Sequence, residues 1–205
     1  MKADENKLKT MAITLRWESG YRKGEHLAGR GAFLPELDTL DTDFAEAIRL
    51  SDIQNGRLLE IGAGLGMQAV CYAQSGFEVT AIDVSPTAVE NARKKAAERD
   101  TSPGSLTFAD DNILMTNLQV PFTIIADRGC YATLKEWELE DYCRNVRRLL
   151  NPDGLFLLKV NAGQYKRAKV LETRFCIVQS FDTFYHGDLI QGPPAVFFIL
   201  KPLPA

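Results

Sequence analysis

The run Glu60-Ile61-Gly62-Ala63-Gly64-Leu65-Gly66 sets a carboxylate two residues ahead of three closely spaced glycines. Glycines at such spacing let a ligand approach the backbone, and a glycine turn between a buried strand and a helix is where open α/β sheets bind nucleotides. A nicotinamide-binding fingerprint would put its third glycine at position 67, where this chain has Met67. Glu60 argues the same way, because its charge repels a pyrophosphate and suits an ammonium. Twenty-one residues beyond Gly62, Asp83 closes the next apolar run, where a carboxylate can accept both hydroxyls of a ribose. Together the two acids ask for a ligand that carries a ribose and a positive charge.

Three further groups have chemistry to offer. Asp127-Arg128-Gly129-Cys130-Tyr131 follows an apolar run. Asp127, Arg128 and Tyr131 are the candidates to face a reacting partner, while Cys130 reads as a small packing residue. Asp110-Asp111-Asn112-Ile113 forms a polar loop after another short apolar run. Near the amino end, Trp17-Glu18-Ser19-Gly20-Tyr21 brings two aromatic rings whose π faces attract cations, with ordinary packing as the competing role of Trp17. Gly24, Gly29 and Gly31 follow, and residues 1–36 are expected to act as a lid. His26 and His186 are candidate general bases that would reach the cleft from the lid and from a late hairpin.

These residues need a frame of alternating strands and helices. Strands are expected at 57–62, 77–82, 106–108, 122–126, 155–160, 175–184 and 195–200. Helices are expected after the glycine turn, from Ser85-Pro86 to about Arg99, from Lys135 to Leu150, and briefly around 164–170. Ser85 is an N-cap and Pro86 suits the first helical position. The 135–150 stretch shows an apolar stripe of Leu139, Tyr142, Cys143, Val146, Leu149 and Leu150, with acids at its start and arginines at its end, before Asn151-Pro152-Asp153-Gly154 stops it. About ten residues part the last two strands, too few for a crossover helix, so that pair is expected to be antiparallel. The expected fold is a doubly wound, seven-stranded, mostly parallel α/β sheet with an antiparallel C-terminal strand and helices on both faces.

At 205 residues and 45% hydrophobic, the chain is expected to form one domain over residues 1–205. A net charge of −3 supplies no broad cationic field, which makes nucleic acid an unlikely partner. The basic runs Arg93-Lys94-Lys95 and Arg147-Arg148 fall in helical pattern and read as solvated faces. Four cysteines without a CxxC pair, and two histidines, leave no metal site to assemble and fit reduced thiols. No signal-peptide core or membrane-length apolar run is present, so a cytoplasmic protein with no membrane partner is expected, as monomer or homodimer.

With these motifs the chain resembles the class I S-adenosylmethionine-dependent methyltransferases, and more narrowly their thiopurine-methyltransferase and tellurite-resistance-like branch. The resemblance spans about Trp17 to Val160. It is carried by Glu60–Gly66, Asp83, Asp127-Arg128-Gly129-Cys130 and Leu150-Asn151-Pro152-Asp153-Gly154. It implies S-adenosyl-L-methionine as cofactor and S-adenosyl-L-homocysteine as product. It further implies cofactor contacts from Trp17, Tyr21, Glu60, Gly62, Ala63, Gly64, Asp83, Val84 and Asp127. Asn112 and Ile113 would meet the adenine, with Asp111 as the alternative to Asn112, since the family's commonest residue there is aspartate. Arg128 resembles the arginine that faces the acceptor in thiopurine-type enzymes, with an ion pair to a nearby acid as its other role. The chain lacks inserted acceptor-binding segments, so a small-molecule acceptor methylated on sulfur or oxygen is expected. An RNA or protein methyltransferase would share every cofactor motif, and a non-catalytic cofactor-binding regulatory protein would keep the fold; a dehydrogenase is excluded by Met67 and Glu60.

Overall fold

The computed structural model describes residues 2–25, 37–186 and 191–204. After helices α1 (Lys2–Arg22) and α2 (Thr42–Leu50), strands and helices alternate as β1 (Gly56–Ile61), α3 (Met67–Gln74), β2 (Phe77–Asp83), α4 (Pro86–Ala96), β3 (Ser105–Asp110) and β4 (Phe122–Arg128). The chain continues through α5 (Cys130–Thr133), a 3-10 turn at Glu136–Glu138, α6 (Leu139–Leu149), β5 (Leu150–Asn161), a 3-10 stretch at Ala162–Thr173, β6 (Phe175–His186) and β7 (Gln191–Pro202).

All seven strands form one sheet in the order β3-β2-β1-β4-β5-β7-β6. The first five are parallel, and β7 pairs antiparallel with both β5 and β6. The strand order runs outward from β1 in both directions, which leaves a crevice at the carboxyl ends of β1 and β4. Because both faces are covered, neighbouring residues such as Leu58 and Leu59 are both buried. Leu59, Ile61, Ile125, Phe156 and Leu158 pack under the apolar stripe of α6, and Leu58, Ala81, Ile124, Leu157 and Phe197 pack with α2 and α3. Each buried leucine or phenylalanine of this kind contributes about 1.5–3 kcal/mol, so a charge at Val146, in the centre of the α6 stripe, would break that layer.

The expected sheet is present, and four differences have physical causes. Strand β7 lies between β5 and β6 instead of extending the edge. Helix α6 starts at Leu139, because Glu136–Glu138 is a tighter turn in which the Glu138 carboxylate accepts the Lys135 amide at 2.6 Å. Asn151-Pro152-Asp153-Gly154 falls within β5 without being regular strand. Phe122 faces Leu150 and Ile124 faces Leu155, so those four turn-forming residues are squeezed out of the ladder. Helices α1 and α2 have no counterpart among the expected elements. Met11 and Leu15 of α1 are exposed, so the helix has no apolar stripe of the kind that sequence periodicity detects.

Candidate functional site

Strand β1 delivers Glu60, then turns sharply: the Gly62 and Ala63 amides both donate to the Ile82 carbonyl, at 2.8 and 3.0 Å. The turn needs glycine for two separate reasons. Gly64 has φ +57, and a Cβ there would lie 2.9 Å from the Tyr21 hydroxyl oxygen of α1. Gly62 has φ +70, and its Cβ would lie 2.8 Å from the Cβ of Cys130, at the start of α5. The turn is thus pinched between α1 and α5, and Cys130 serves as packing there, with its thiol pushed well above its ordinary range by burial and by Asp127.

Three acids surround it. Glu60 is 5% exposed, and its Oε2 has no hydrogen-bond partner among the described residues. Burial pushes its carboxyl up to about 8; Arg128 opposes the shift, and Asp83 and Asp127 add to it. Asp83 accepts the Gly64 amide at 3.0 Å and the Ser85 amide at 2.9 Å. Burial nevertheless lifts it to about 6, with Ser85, Gly64 and Val84 amides pulling the other way. Asp127 is fully buried; it accepts the amides of Gly129, Cys130 and Tyr131 and the hydroxyl of Tyr142. Its pKa also rises to about 6 through burial. Its carboxylate therefore caps α5, and one of these hydrogen bonds would have to give way before it could take a proton from an acceptor.

Beyond β3, the Asp111 amide donates to the Asp83 carbonyl at 3.0 Å, which ties the polar loop to β2. Asp111 is engaged by the Asn112 amide and the Thr116 hydroxyl. Asn112 Oδ1 accepts the Leu114 amide, and this fixes Nδ2 as the free end; that buried amino group has no partner among the described residues. Ile113 is buried, with its carbonyl held by Asn145. Asp111 has its oxygens occupied, whereas Asn112 keeps a donor to offer.

Arg128 does not stand free. Its Nε donates to Asp41 Oδ2 at 2.8 Å, its guanidinium lies 5.8 Å from the centre of the Tyr185 ring, and its side chain is 10% exposed. Asp41, the N-cap of α2, also accepts Lys159, whose ammonium is completely buried and reaches Asp43 at 2.7 Å as well. Burial opposes ionisation of Asp41, yet Lys159 and Arg128 hold its carboxyl below the usual range. Tyr131 is buried, with its hydroxyl donating to the Arg167 carbonyl at 2.9 Å and burial raising its pKa. Trp17 is half-buried on α1, with Arg16 5.5 Å from its ring centre. His26 lies outside the described residues, as do residues 26–36 of the expected lid and the side chain of His186.

The sequence reading gathered the glycine turn, the three acids and the Asp111–Ile113 loop, and the structure brings these together at the carboxyl edge of the sheet. It missed Glu18, Asp41, Asp43 and Lys159. Lys159 carried a usable signal, being one lysine inside the apolar run Leu155-Phe156-Leu157-Leu158-Lys159-Val160, where a buried charge must be paired. Asp41 ahead of Thr42-Asp43 has the look of a helix start, which the reading passed over.

Residues 58–154 match the family described as "Methyltransferase domain". Over that stretch, a little under half of its length, the chain is similar to a methyltransferase domain. The chain is 27% identical over 133 residues to the mitochondrial ubiquinone biosynthesis O-methyltransferase of Schizosaccharomyces pombe, covering 63% of this chain and 47% of the relative. The chain spans about half the length of the curated relatives it matches. Among solved structures, one concerned with conversion of a disulfide bond into a thioacetal group during echinomycin biosynthesis superposes with a TM-score of 0.76 at 19% identity, covering 93% of this chain and 92% of that one. The glycopeptide N-methyltransferase MtfA with bound S-adenosyl-L-methionine superposes at 0.64 and 16% identity, covering 78% and 92%. The chain thus shares the fold of these proteins. Among the described residues no helix is long and apolar enough to cross a membrane.

Proposed function

We propose that this protein moves the methyl group of S-adenosyl-L-methionine to the sulfur or oxygen of a small-molecule acceptor. The observation that carries the reading is the unpartnered Oε2 of Glu60 beside the glycine turn. A buried carboxylate oxygen without a donor is costly, so burial keeps Glu60 protonated when no ligand is bound, and a ligand ammonium would favour the ionised form. Asp83 keeps lone pairs for ribose hydroxyls, beside the amides of Gly62, Ala63 and Val84. The free Nδ2 of Asn112 is a donor suited to a ring nitrogen of adenine, with Ile113 packed beside it. Trp17 and Tyr21 complete the cofactor side from α1.

When bound, the sulfonium cofactor supplies an electrophilic methyl group, which any nucleophile held in line can take. Asp127, Arg128 and Tyr131 are assigned to shaping the acceptor side instead of abstracting a proton. In support, each already has partners for its polar groups: α5 amides and Tyr142, Asp41, and the Arg167 carbonyl. An acceptor that ionises by itself, a thiol or an acidic hydroxyl, fits such a site best. The O-methyltransferase chemistry named for the Schizosaccharomyces pombe relative supports oxygen as one such acceptor atom, and the thiopurine and tellurite-resistance-like branch remains the narrower placement we favour. Calorimetry with S-adenosyl-L-methionine and S-adenosyl-L-homocysteine, followed by a thiol and phenol panel read by mass spectrometry for the gain of one methyl, tests it. No binding of either, with clear binding of a dinucleotide, would overturn the reading; methylation of bulk RNA or protein in place of the panel would reassign the acceptor.

A further inference from the structure

The carboxylate of Glu18, near the carboxyl end of α1, takes donors from an element far away in sequence. It accepts the Ser85 hydroxyl at 2.6 Å, the Thr87 hydroxyl at 2.6 Å and the Thr87 amide at 3.1 Å. Arg22, one turn on, adds a contact at 2.6 Å, but its side chain is largely exposed and its contribution correspondingly small. Ser85 is the N-cap of α4 and Thr87 lies in its first turn, so a carboxylate borrowed from α1 completes the cap of α4 at the positive end of its dipole. Burial alone would raise the Glu18 pKa; the hydrogen bonds from Ser85 and Thr87 hold it down to about 2, so the group is charged at any working pH.

The contacts close a circuit. Ser85, bound to Glu18, donates its amide to Asp83; Asp83 also accepts the Gly64 amide; Gly64 lies under the Tyr21 hydroxyl; and Tyr21 follows Glu18 by three residues on the same helix face. We infer that Glu18 is a positioning residue for the methyl donor: by capping α4 it docks α1 against the end of β2, and so seats Tyr21 over the glycine turn. This rests on the reading of the turn as the cofactor site. Glu18 touches no reacting atom, and its effect passes through Tyr21, Ser85 and Asp83.

The test uses Glu18→Gln, which keeps the shape and removes the charge, and Thr87→Val, which removes one donor from the α4 side without altering α1. For Glu18→Gln, the Kd for S-adenosyl-L-homocysteine and the KM for S-adenosyl-L-methionine rise roughly tenfold while kcat stays within about twofold. Hydrogen exchange of the amides of residues 12–22 speeds up without ligand. Thr87→Val gives the same pattern at about threefold, and the double variant adds little to Glu18→Gln, because both cut one link. A general loss of folding would lower kcat and leave no such split, and Thr87→Val carries the test should Glu18→Gln fail to fold. Unchanged exchange in α1 would overturn the docking role, and faster exchange with unchanged Kd would overturn the link to the cofactor. A wild-type protein that binds neither cofactor form would sink the methyltransferase reading and the cofactor half of this inference, while the exchange comparison would still judge whether Glu18 docks α1.

Discussion

At the carboxyl ends of β4 and β5, Asp41 and Asp43 meet Arg128 and Lys159, two acids against two bases, and Thr183 and the Phe184 carbonyl take up further polar positions. On the neighbouring strands, Glu60 and Asp83 end β1 and β2 with Asp127 at the end of β4, and the base that acts on Glu60, Arg128, is already paired with Asp41. Both groups are buried, and both shift pKa values, in opposite directions: Asp41 is held down, while Glu60, Asp83 and Asp127 are pushed up. The first group is neutral and closed on itself, as a structural clamp between α2 and the sheet must be. The second is short of positive charge and keeps an orphaned oxygen, as a site that waits for a cationic ligand must. Perturbed acids alone do not mark function; the unmet demand does.

The largest effect that this contrast predicts falls on the closed cluster. Lys159→Met would leave the buried Asp41 and the part-buried Asp43 with Arg128 as the one cation of the cluster, and breaking a buried pair from one side costs about 3–5 kcal/mol. Urea unfolding should show that loss as a lower midpoint, and a variant as stable as the parent would dissolve the distinction between the clusters. Glu60→Gln should do the reverse. At pH 7.5 the ligand-free carboxyl is already mostly protonated, so a neutral amide in its place leaves stability about unchanged. Affinity for S-adenosyl-L-methionine falls by about a hundredfold, or roughly 2.7 kcal/mol, as titration calorimetry would read it. Loss of folding together with binding would place Glu60 in the structural class after all.

The same contrast explains what the sequence could and could not disclose. Glu60, Gly62, Gly64 and Asp83 were legible because local chemistry fixes them: a turn that only glycine can make, and acids at strand ends. The parallel sheet followed from apolar runs and connection lengths, and the antiparallel last pair from a linker too short for a helix. The Asp41–Lys159 clamp joins residues more than a hundred positions apart, and no local pattern ties one to the other. Glu18 is hidden for a related reason: α1 lacks an apolar stripe, so neither the helix nor the face that meets α4 is marked. Arg128 shows how the two classes blur in sequence, since an arginine after β4 reads equally as an acceptor contact or as half of an ion pair, and only Asp41 reveals that the pair is made.

A smaller effect, with a definite sign, comes from titration. The native Glu60 carboxyl, at about 8, keeps a proton that the unfolded chain gives up near the ordinary value of 4.5. Between those values the native state binds more protons, so raising the pH destabilises the ligand-free protein throughout the window. Asp83 and Asp127, at about 6, act in the same sense but are largely spent above that pH, and Glu18 and Asp41, held low, contribute stability that is lost only in acid. From pH 6 to 8 the slope therefore belongs mainly to Glu60 and amounts to about 2 kcal/mol, at roughly 1.36 kcal/mol per unit. Chemical denaturation across that range should show the decline in the parent and a flat profile in Glu60→Gln. Saturating S-adenosyl-L-homocysteine, whose ammonium favours the ionised carboxylate, should flatten the parent too, because the ligand then does for Glu60 what Lys159 already does for Asp41. A parent whose slope survives in the ligand-bound state would mean that the ammonium does not reach Glu60, and the orphaned oxygen would need another explanation.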